Sequence, residues 1–284
     1  MKTPCTVIRM IGGLGNQLFQ LQYGLNFSRQ IGSRIVLDDS FLRASSKVHE
    51  VLAFPELFNR FEIDTLGWFD LKLRRSGERF FYKIKSPAPW FYEPVFVFQN
   101  NTAPAESGRR FIIDGFWQHK KFLNEAFLSD VRSALSEVGR TNSLKMPAQD
   151  VVCVHIRRGD FLTNTHWFKR QQVALGLDYY EAAIAYMRRG DGLRQFNVYT
   201  DDEVWAQEIL RDHTGVSVIA SSHLSSSQLL AQMAQYKHFV IANSTLSWWS
   251  AVLSSALPKN VVCPKQWGIH QTSENLSLSG WIVI

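Results

Sequence analysis

The residues with the clearest chemical potential form one run, His155-Ile156-Arg157-Arg158-Gly159-Asp160, at the end of an apolar stretch. Arginine presents a planar set of N–H donors that matches phosphate oxygens, and it stays charged at any physiological pH. Two adjacent arginines could therefore bind a diphosphate and stabilise the negative charge that grows as it departs. Asp160 could orient one guanidinium and leave the other for the ligand. The alternative is a structural Arg–Asp pair that closes the end of a strand.

A second candidate segment, Asn243-Ser244-Thr245-Leu246-Ser247, places small polar residues where a predicted strand turns into a predicted helix. Backbone N–H groups and hydroxyls at the start of a helix bind anions without any further charge. Simple capping of the helix by Asn243 or Ser244 is the alternative, and the two roles can coexist. Trp248 could stack on the ligand while Trp249 packs inward, although two core tryptophans fit the pattern equally well.

A glycine-rich turn, Gly12-Gly13-Leu14-Gly15, follows the first predicted strand. It is not a dinucleotide-binding fingerprint, because Leu18 occupies the position of the third glycine. It is not a phosphate-binding P-loop either, because no Gly-Lys-Ser/Thr follows. The next residues, Asn16 and Gln17, carry side-chain amides that suit uncharged, hydroxyl-rich ligands, above all sugars. We therefore assign Gly13, Asn16 and Gln17 to substrate binding.

An acidic pair, Asp201-Asp202, follows another predicted strand, Phe196–Thr200. Asp201 could accept a hydrogen bond from a ribose or a guanine, and Asp202 could simply cap the next helix. Acidic pairs of this kind can also hold divalent metals. Because the arginines already neutralise phosphate, the sequence predicts a site that needs no metal and no cofactor.

The elements around these segments follow a regular plan. Short apolar runs alternate with longer amphipathic stretches, which predicts strands followed by helices and therefore parallel sheets. The alternation is most regular from Val151 onward, and the last predicted strand is Asn260–Cys263. All four candidate segments directly follow a predicted strand, and parallel sheets bind their ligands outside the carboxyl ends of the strands.

Two stretches interrupt this plan. Thr141–Gln149 is polar, contains a proline and is typical of a linker, so we predict an N-terminal domain over residues 1–148 and a C-terminal domain over residues 149–284. Residues 40–108 have no clear pattern. Within them, Lys72–Gln99 mixes basic and aromatic residues, as do segments that bind single-stranded nucleic acid, an anionic membrane or an acceptor sugar. A partly buried insertion with a basic surface is the structural alternative.

The composition of the chain limits the classes of protein and of partner that fit it. The chain has 284 residues, of which 45% are hydrophobic and 20% charged, which is typical of a globular protein. Its formal net charge of +6 favours anionic partners: nucleic acid, an acidic membrane surface or phosphorylated small molecules. No signal peptide or membrane span is predicted. The three cysteines lie in apolar, strand-like contexts, which predicts buried, reduced thiols.

Taken in order, five segments resemble those of the α-1,2-fucosyltransferases, glycosyltransferase family 11. They are Gly12–Gln20, His155–Asp160, Leu177–Tyr180 with Ala183-Ile184, Thr200–Asp202 and Ala242–Trp249. The resemblance implies an α/β fold of the GT-B type, with two facing Rossmann-like domains and parallel sheets. The N-terminal half would serve the acceptor and the C-terminal half the donor, GDP-β-L-fucose. The product would be an inverted, α-linked fucoside on the 2-hydroxyl of a terminal β-galactoside, formed without a metal.

The resemblance also implies roles for single residues. Arg157 or Arg158 would contact the departing β-phosphate, and with Asp160 they form the predicted catalytic group. The predicted donor-binding residues are those around the nucleoside and the second phosphate: His155, Asp201, Asn243, Ser244, Thr245, Ser247 and Trp248. No carboxylate stands a few residues beyond the arginines, where some more distant fucosyltransferases carry a glutamate. The candidates for a general base are therefore Asp160, His155, His166 and Asp38.

The resemblance leads to further expectations. The acceptor would be a galactose-terminated glycan or lipid-linked oligosaccharide, made for an O-antigen or another lipopolysaccharide glycan. The enzyme would be cytoplasmic, with peripheral contact to the inner face of the cell membrane, and would bind no nucleic acid. Two other readings stay open: a metal-independent GT-B transferase for another nucleotide sugar, and a basic nucleic-acid-binding protein.

Overall fold

The computed structural model describes residues 4–44, 52–63, 81–85, 95–98, 110–142, 147–148, 150–163, 174–190, 192–256, 260–268 and 271–284. The chain divides into two compact units, Met1–Ala134 and Leu135–Ile284. The division falls within the helix Glu125–Thr141 and therefore precedes the linker predicted at Thr141–Gln149. No helix in the described ranges is long and apolar enough to cross a membrane.

The N-terminal unit is built on a sheet of six strands in the order β3-β2-β1-β6-β4-β5. The strands are β1 Cys5–Arg9, β2 Arg34–Asp38, β3 Glu62–Ile63, β4 Phe81–Lys85, β5 Val95–Phe98 and β6 Arg110–Asp114. The helices are α1 Leu14–Ile31, α2 Ser40–Ala44, α3 Pro55–Phe58 and, across the division, α4 Glu125–Thr141, with a 3₁₀ turn at Lys120–Phe122. All pairings are parallel except that between β4 and β5. This antiparallel edge lies in the region where the sequence shows no clear pattern.

The C-terminal unit has a second six-stranded sheet, in the order β14-β11-β10-β7-β8-β9, with every pairing parallel. Its strands are β7 Val151–Ile156, β8 Gln195–Thr200, β9 Val216–Val218, β10 His238–Val240, β11 Val261–Cys263 and β14 Ile282–Val283. The helices are α5 Gly159–Thr163, α6 Leu177–Gly190, α7 Glu203–Ile209, α8 Ser226–Met233 and α9 Thr245–Leu253. A hairpin of β12 Gln266–Gly268 and β13 Gln271–Thr272 precedes the 3₁₀ turn Ser273–Asn275. The prediction that Asn260–Cys263 is the last strand was wrong, because β14 adds to the edge of the sheet.

Strand β7 is central and buried. Val152, Val154 and Ile156 pack with Tyr180 and Ile184 of α6, and all five side chains are almost fully buried. Burial of each large apolar side chain stabilises the fold by about 1.5–3 kcal/mol. The core therefore fixes the carboxyl end of β7, from which Arg157 and Arg158 leave the sheet. The three cysteines are free and buried, which confirms their predicted state.

Both sheets reverse their strand order beside their first strand. In the N-terminal unit, β1 lies between β2 and β6, and in the C-terminal unit β7 lies between β8 and β10. The loops that follow the two neighbouring strands at such a switch point leave in opposite directions, and the crevice between them is the usual ligand site of an open α/β sheet. Ligand sites are therefore expected in two crevices, one outside β1 and β6 and the other outside β7 and β10.

Candidate active site

Asp201, at the end of β8, holds the loop that follows β7. Its Oδ1 accepts a hydrogen bond from the backbone N–H of Arg158 at 2.8 Å, and its Oδ2 lies 2.9 Å from Nη1 of Arg157. A Cβ on Gly159 would come within 3.1 Å of Oδ2, so the loop approaches this carboxylate closely and glycine suits the position. Asp201 thus links the ends of β7 and β8. It holds Arg158 by its backbone and Arg157 by its side chain.

The side chain of Arg158 contacts both a carboxylate and an aromatic ring. Its Nε lies 3.3 Å from Oδ2 of Asp202, and its guanidinium carbon lies 3.7 Å from the centre of the Trp205 ring. Asp202 also caps α7, because its Oδ1 accepts a hydrogen bond from the Trp205 N–H at 3.2 Å. The side chain of Arg158 is 17% exposed and that of Arg157 is 34% exposed. Arg157 is therefore the arginine with more surface open to a ligand.

His155 lies behind these arginines, on β7. Only 5% of it is exposed, and its Nδ1 has no hydrogen-bond partner among the described residues. Burial, followed by the positive charge of Arg157, lowers the pKa of His155 to about 4, against a smaller opposing effect of Asp201. The imidazole is therefore neutral at pH 7. Because buried polar atoms are normally paired, an unpaired nitrogen beside Arg157 marks a position where a ligand atom could bind.

On the other side of the crevice, α9 begins without a cap. Ser244 is the N-cap residue, but its side chain makes no capping hydrogen bond, and the first turn contains no acidic residue. Helix α8 is the contrast, because Ser225 and Gln228 form a complete capping box there. Uncapped N–H groups and the positive end of the helix dipole attract anions. One side of the crevice in the C-terminal unit thus carries two arginines, each paired with a carboxylate, and the other side carries an uncapped helix start.

The N-terminal unit places the predicted sugar-binding turn after β1. Gly13 is the N-cap residue of α1 and is half-buried, as is Asn16. The Oδ1 of Asn16 accepts a hydrogen bond from Nε2 of Gln118, which lies beyond β6, at 2.9 Å. Gln17 is fully buried. Its Nε2 donates to the carbonyl of Gly12 at 2.9 Å, and its Oε1 accepts from the N–H of Ala53 at 3.1 Å.

Residues 103–284 match the family model of glycosyl transferase family 11. The chain belongs to this family. It is 28% identical to the O-antigen biosynthesis glycosyltransferase WbnK of Escherichia coli, over 95% of this chain and 97% of that protein. It is 27% identical to an alpha-1,2-colitosyltransferase of Escherichia coli, over 92% of this chain and 91% of that protein. Its resemblance to the family, predicted from sequence, is confirmed.

Solved structures support the fold. The fucosyltransferase NodZ from Bradyrhizobium is similar with a TM-score of 0.50 and 14% identity, over 89% of this chain and 94% of NodZ. The fold is therefore α/β with parallel sheets and of the GT-B type, as predicted. The family 11 chain is a glycosyltransferase, and its enzyme class no longer depends on the motifs alone.

Several predicted site residues of this family 11 transferase have structural duties instead. Trp248 is 0% exposed and donates from Nε1 to the carbonyl of Leu276 at 2.7 Å, so its predicted stacking on a ligand is wrong. Ser247 is buried, and its Oγ donates to the carbonyls of Ala242 and Ser244. These residues shape the turn before α9. Ser244 and Thr245, which are half-buried, remain the polar residues of that turn with accessible surface.

Three more assignments change. The buried amide of Gln17 supports the turn from inside, so its predicted contact with a substrate is wrong. Asn243 is 4% exposed and donates from Nδ2 to the carbonyl of Trp267 at 3.2 Å, which also gives it a structural role. Both oxygens of Asp201 bind the arginine loop, so we reassign it from nucleoside contact to positioning. The capping role weighed for Asp202 is confirmed.

Other predictions stay open. Asp160 lies in α5, but its side chain is outside the described part, and His166 lies wholly outside the described residues. Asp38 is fully buried, and burial raises its pKa against the opposing effects of Ser40 and Arg9. Among the described residues, no group of three His, Cys, Asp or Glu side chains could hold a metal ion. The absence of a metal and a cofactor remains a prediction.

The Trp205 ring beside the Arg158 guanidinium was not predicted from the sequence. Trp205 stands three residues after the helix cap Asp202, and residues three apart share one face of a helix. An aromatic residue at that spacing from the acidic pair was the available signal.

Proposed function

We propose that this protein transfers L-fucose from GDP-β-L-fucose to the 2-hydroxyl of a terminal β-galactoside, with inversion to an α-1,2 linkage, during O-antigen synthesis. Family membership supports the reaction class. The names of the two Escherichia coli relatives support an O-antigen acceptor and an α-1,2 linkage. The observation that carries the proposal is the crevice outside β7 and β10, where Arg157 and the uncapped start of α9 offer positive charge from opposite sides.

A diphosphate fits this arrangement. Arg157 would bind the β-phosphate, and the first N–H groups of α9, with the hydroxyls of Ser244 and Thr245, would bind the other phosphate. Arg158 would have a structural role. Its contacts with Asp201, Asp202 and Trp205 would hold the loop that carries Arg157. The unpaired Nδ1 of His155 would then meet the nucleoside. No metal is required in this scheme, because the protein itself supplies the positive charge.

The chemical step follows from these roles. The bond between C1 of fucose and the β-phosphate oxygen breaks, and GDP departs with the electron pair. The acceptor 2-hydroxyl oxygen attacks C1 from the opposite face and loses its proton. Arg157 binds the charged β-phosphate and stabilises the additional negative charge that develops on it as GDP leaves, and removal of one such group typically costs about 10²–10³ in turnover. If GDP leaves ahead of the attack, the hydroxyl needs little help from a base. Asp160 is then the base we propose to accept that proton, since it stands two residues after Arg158.

A second donor deserves a direct test because one relative is a colitosyltransferase. Colitose is L-fucose without its 3-hydroxyl, so both sugars fit the same inverting reaction. The donor differs by one hydrogen-bonding group only. Since family membership makes the chain a transferase, the nucleic-acid-binding alternative has no further support.

The place of action follows from charge and substrate. With a net charge of +6, the protein is attracted to anionic lipid headgroups, which lie where lipid-linked glycans are assembled. We place the enzyme in the cytoplasm, in peripheral contact with the inner face of the membrane.

The test is a donor panel with methyl β-D-galactoside as acceptor and EDTA present throughout. GDP-fucose, GDP-colitose, GDP-mannose and UDP-galactose are compared at equal concentration, and the released nucleotide and the product are measured. We expect transfer from GDP-fucose to methyl β-D-galactoside. We expect no product when the acceptor is the matching 2-deoxy galactoside, which lacks the 2-hydroxyl. If GDP-colitose is consumed at least tenfold faster than GDP-fucose, the donor is GDP-colitose. Consumption of UDP-galactose alone, or activity that EDTA abolishes, contradicts the proposal.

A further inference from the structure

The crevice outside β1 and β6 is bridged by two amides. Asn16 comes from the loop after β1, and Gln118 comes from the loop after β6. Their side chains join by the 2.9 Å hydrogen bond from Gln118 Nε2 to Asn16 Oδ1. These loops flank the switch point of the N-terminal sheet, where an open α/β sheet binds its ligands. Asn16 is half-buried and Gln118 is nearly buried, so Asn16 is the partner with surface for a ligand.

The turn that carries Asn16 is rigidly built. Gln20, which is fully buried, accepts from the N–H of Ile11 at 3.0 Å and donates to its carbonyl at 3.1 Å. With Gln17, two buried amides thus serve the backbone of one turn. Gly12 has φ = 77°, and a Cβ there would lie 2.5 Å from Nδ2 of Asn16. Only glycine allows this close approach, and it lets the Asn16 amide rest on the turn.

The segment that carries Gln118 is strained and supported. The preceding residue, Trp117, is fully buried and has φ = 56°, which is unusual for a bulky side chain. Its ring stacks on Tyr23, with centroids 3.9 Å apart and planes inclined by 1°. Such strain costs of the order of 1–3 kcal/mol and persists where the surroundings impose it, often at functional sites. The stack therefore keeps the Gln118 amide directed at Asn16.

The charged side chains of this edge favour a neutral ligand, although α1, like α9, starts without a side-chain cap. Arg9 at the end of β1 lies 3.6 Å from Asp38 and 3.1 Å from Asp114, which end the two neighbouring strands. Two carboxylates around one guanidinium disfavour a phosphate. Amides and carboxylates are, in contrast, good partners for sugar hydroxyls.

From this geometry we propose that Gln118 is a positioning residue, which holds the Asn16 amide in place to contact a hydroxyl of the acceptor sugar in the crevice between β1 and β6. The inference rests on the proposed function, because the acceptor there is a sugar. It adds a residue, Gln118, that no sequence motif indicated.

The test separates positioning from general stability. Asn16→Ala, Gln118→Ala, Gln118→Glu and the double Ala variant are compared with Gln30→Ala, which alters an exposed glutamine on α1. For each protein the KM for methyl β-D-galactoside, the kcat and the acceptor-free hydrolysis of GDP-fucose are measured. A hydrogen bond of about 1.4 kcal/mol corresponds to a tenfold change. We expect the acceptor KM to rise about tenfold in each site variant, with hydrolysis unchanged.

The double variant decides the mechanism. If Gln118 acts through Asn16, the double variant has the same acceptor KM as Asn16→Ala alone. Effects that multiply to about a hundredfold, or equal losses of hydrolysis and transfer, overturn the positioning role. So does an unchanged KM in Gln118→Glu, which keeps the shape but cannot donate to Asn16.

A binding measurement keeps this test separate from that of the donor. Saturation-transfer NMR follows methyl β-D-galactoside on the wild type and on Asn16→Ala. A signal that Asn16→Ala removes supports the site even if GDP-fucose proves to be the wrong donor. A signal of equal strength in both proteins overturns the site.

Discussion

The two sheet edges share a topology and differ in chemistry. Each sheet reverses its order beside its first strand and so opens a crevice, between β7 and β10 in one unit and between β1 and β6 in the other. The C-terminal crevice presents two arginines, each paired with one carboxylate, and an uncapped helix. The N-terminal crevice presents amides and two carboxylates around one arginine. The fold therefore supplies the position of a site, and the residues after the strands decide whether it suits an anionic diphosphate or a neutral sugar.

The same contrast recurs between two helices of one unit. Ser225 and Gln228 satisfy the start of α8, whereas Ser244 leaves the start of α9 open. The two helices thus differ in whether a side chain satisfies their first N–H groups.

The largest effect is expected for Arg157. Arg157→Ala should lower kcat for transfer about 10²–10³-fold, because it removes the accessible charge that stabilises departing GDP. Arg189→Ala, at an exposed position in the last turn of α6, is the matched control and should be neutral. Steady-state kinetics with GDP-fucose measure both. A loss below threefold in Arg157→Ala would remove the phosphate role from this arginine.

A smaller loss is expected for Asp201. Asp201→Asn retains an oxygen that can accept from the Arg158 N–H but loses the charge that holds Arg157. We expect kcat to fall about tenfold to a hundredfold, in line with a charged hydrogen bond of about 1.5–3 kcal/mol. If Asp201 instead bound the nucleoside, the variant would raise the donor KM and leave kcat intact. The two parameters therefore distinguish positioning from ligand contact.

The two serines provide a matched pair. Ser225→Ala should lower the free energy of unfolding by about 1 kcal/mol and leave activity unchanged, because it removes a cap. Ser244→Ala should leave stability unchanged and raise the donor KM about tenfold, because Ser244 has no capping bond to lose. Urea unfolding and initial-rate kinetics on both variants test this. Equal stability losses would show that α9 is an ordinary capped helix.

The smallest effect concerns pH. The pKa of His155 is about 4 in the folded protein, below the value of about 6.5 in an unfolded chain. Between these values the unfolded chain binds a proton that the folded chain does not, so stability falls as the pH decreases from about 6.5 towards 4. In His155→Asn this part of the decrease should be absent. Urea unfolding at pH 7 and pH 5 measures how far the free energy of unfolding falls in each protein. An equal decrease in the wild type and in His155→Asn would contradict the lowered pKa of His155.

Much of the fold was predictable because parallel sheets leave a strong imprint on sequence. The buried strands β7 and β10 are rich in apolar residues, β8 alternates polar with apolar residues over its first four positions, and the helices between them are amphipathic. Short edge strands such as β14 have two residues and no such imprint. The antiparallel pair β4 and β5 lies among basic and aromatic residues whose pattern fits several structures.

The site was predictable in position and less so in detail. His155, Arg157 and Arg158 were found because strand ends carry function and arginine suits phosphate. Burial could not be read from residue type, so Gln17 and Trp248, whose polar atoms serve the backbone, looked like ligand contacts. Gln118 escaped because it pairs with Asn16 across 102 residues of sequence. Contacts of that range depend on packing and have no local signal.

The most direct measurement is the calorimetric affinity of the wild type, Arg157→Ala and Arg189→Ala for GDP and for guanosine, with EDTA present. If Arg157 binds the diphosphate, the wild type and Arg189→Ala should bind GDP with equal affinity without metal. Arg157→Ala should bind GDP at least tenfold more weakly and guanosine with unchanged affinity. Equal GDP affinity in all three proteins, or GDP binding that EDTA abolishes, would contradict it.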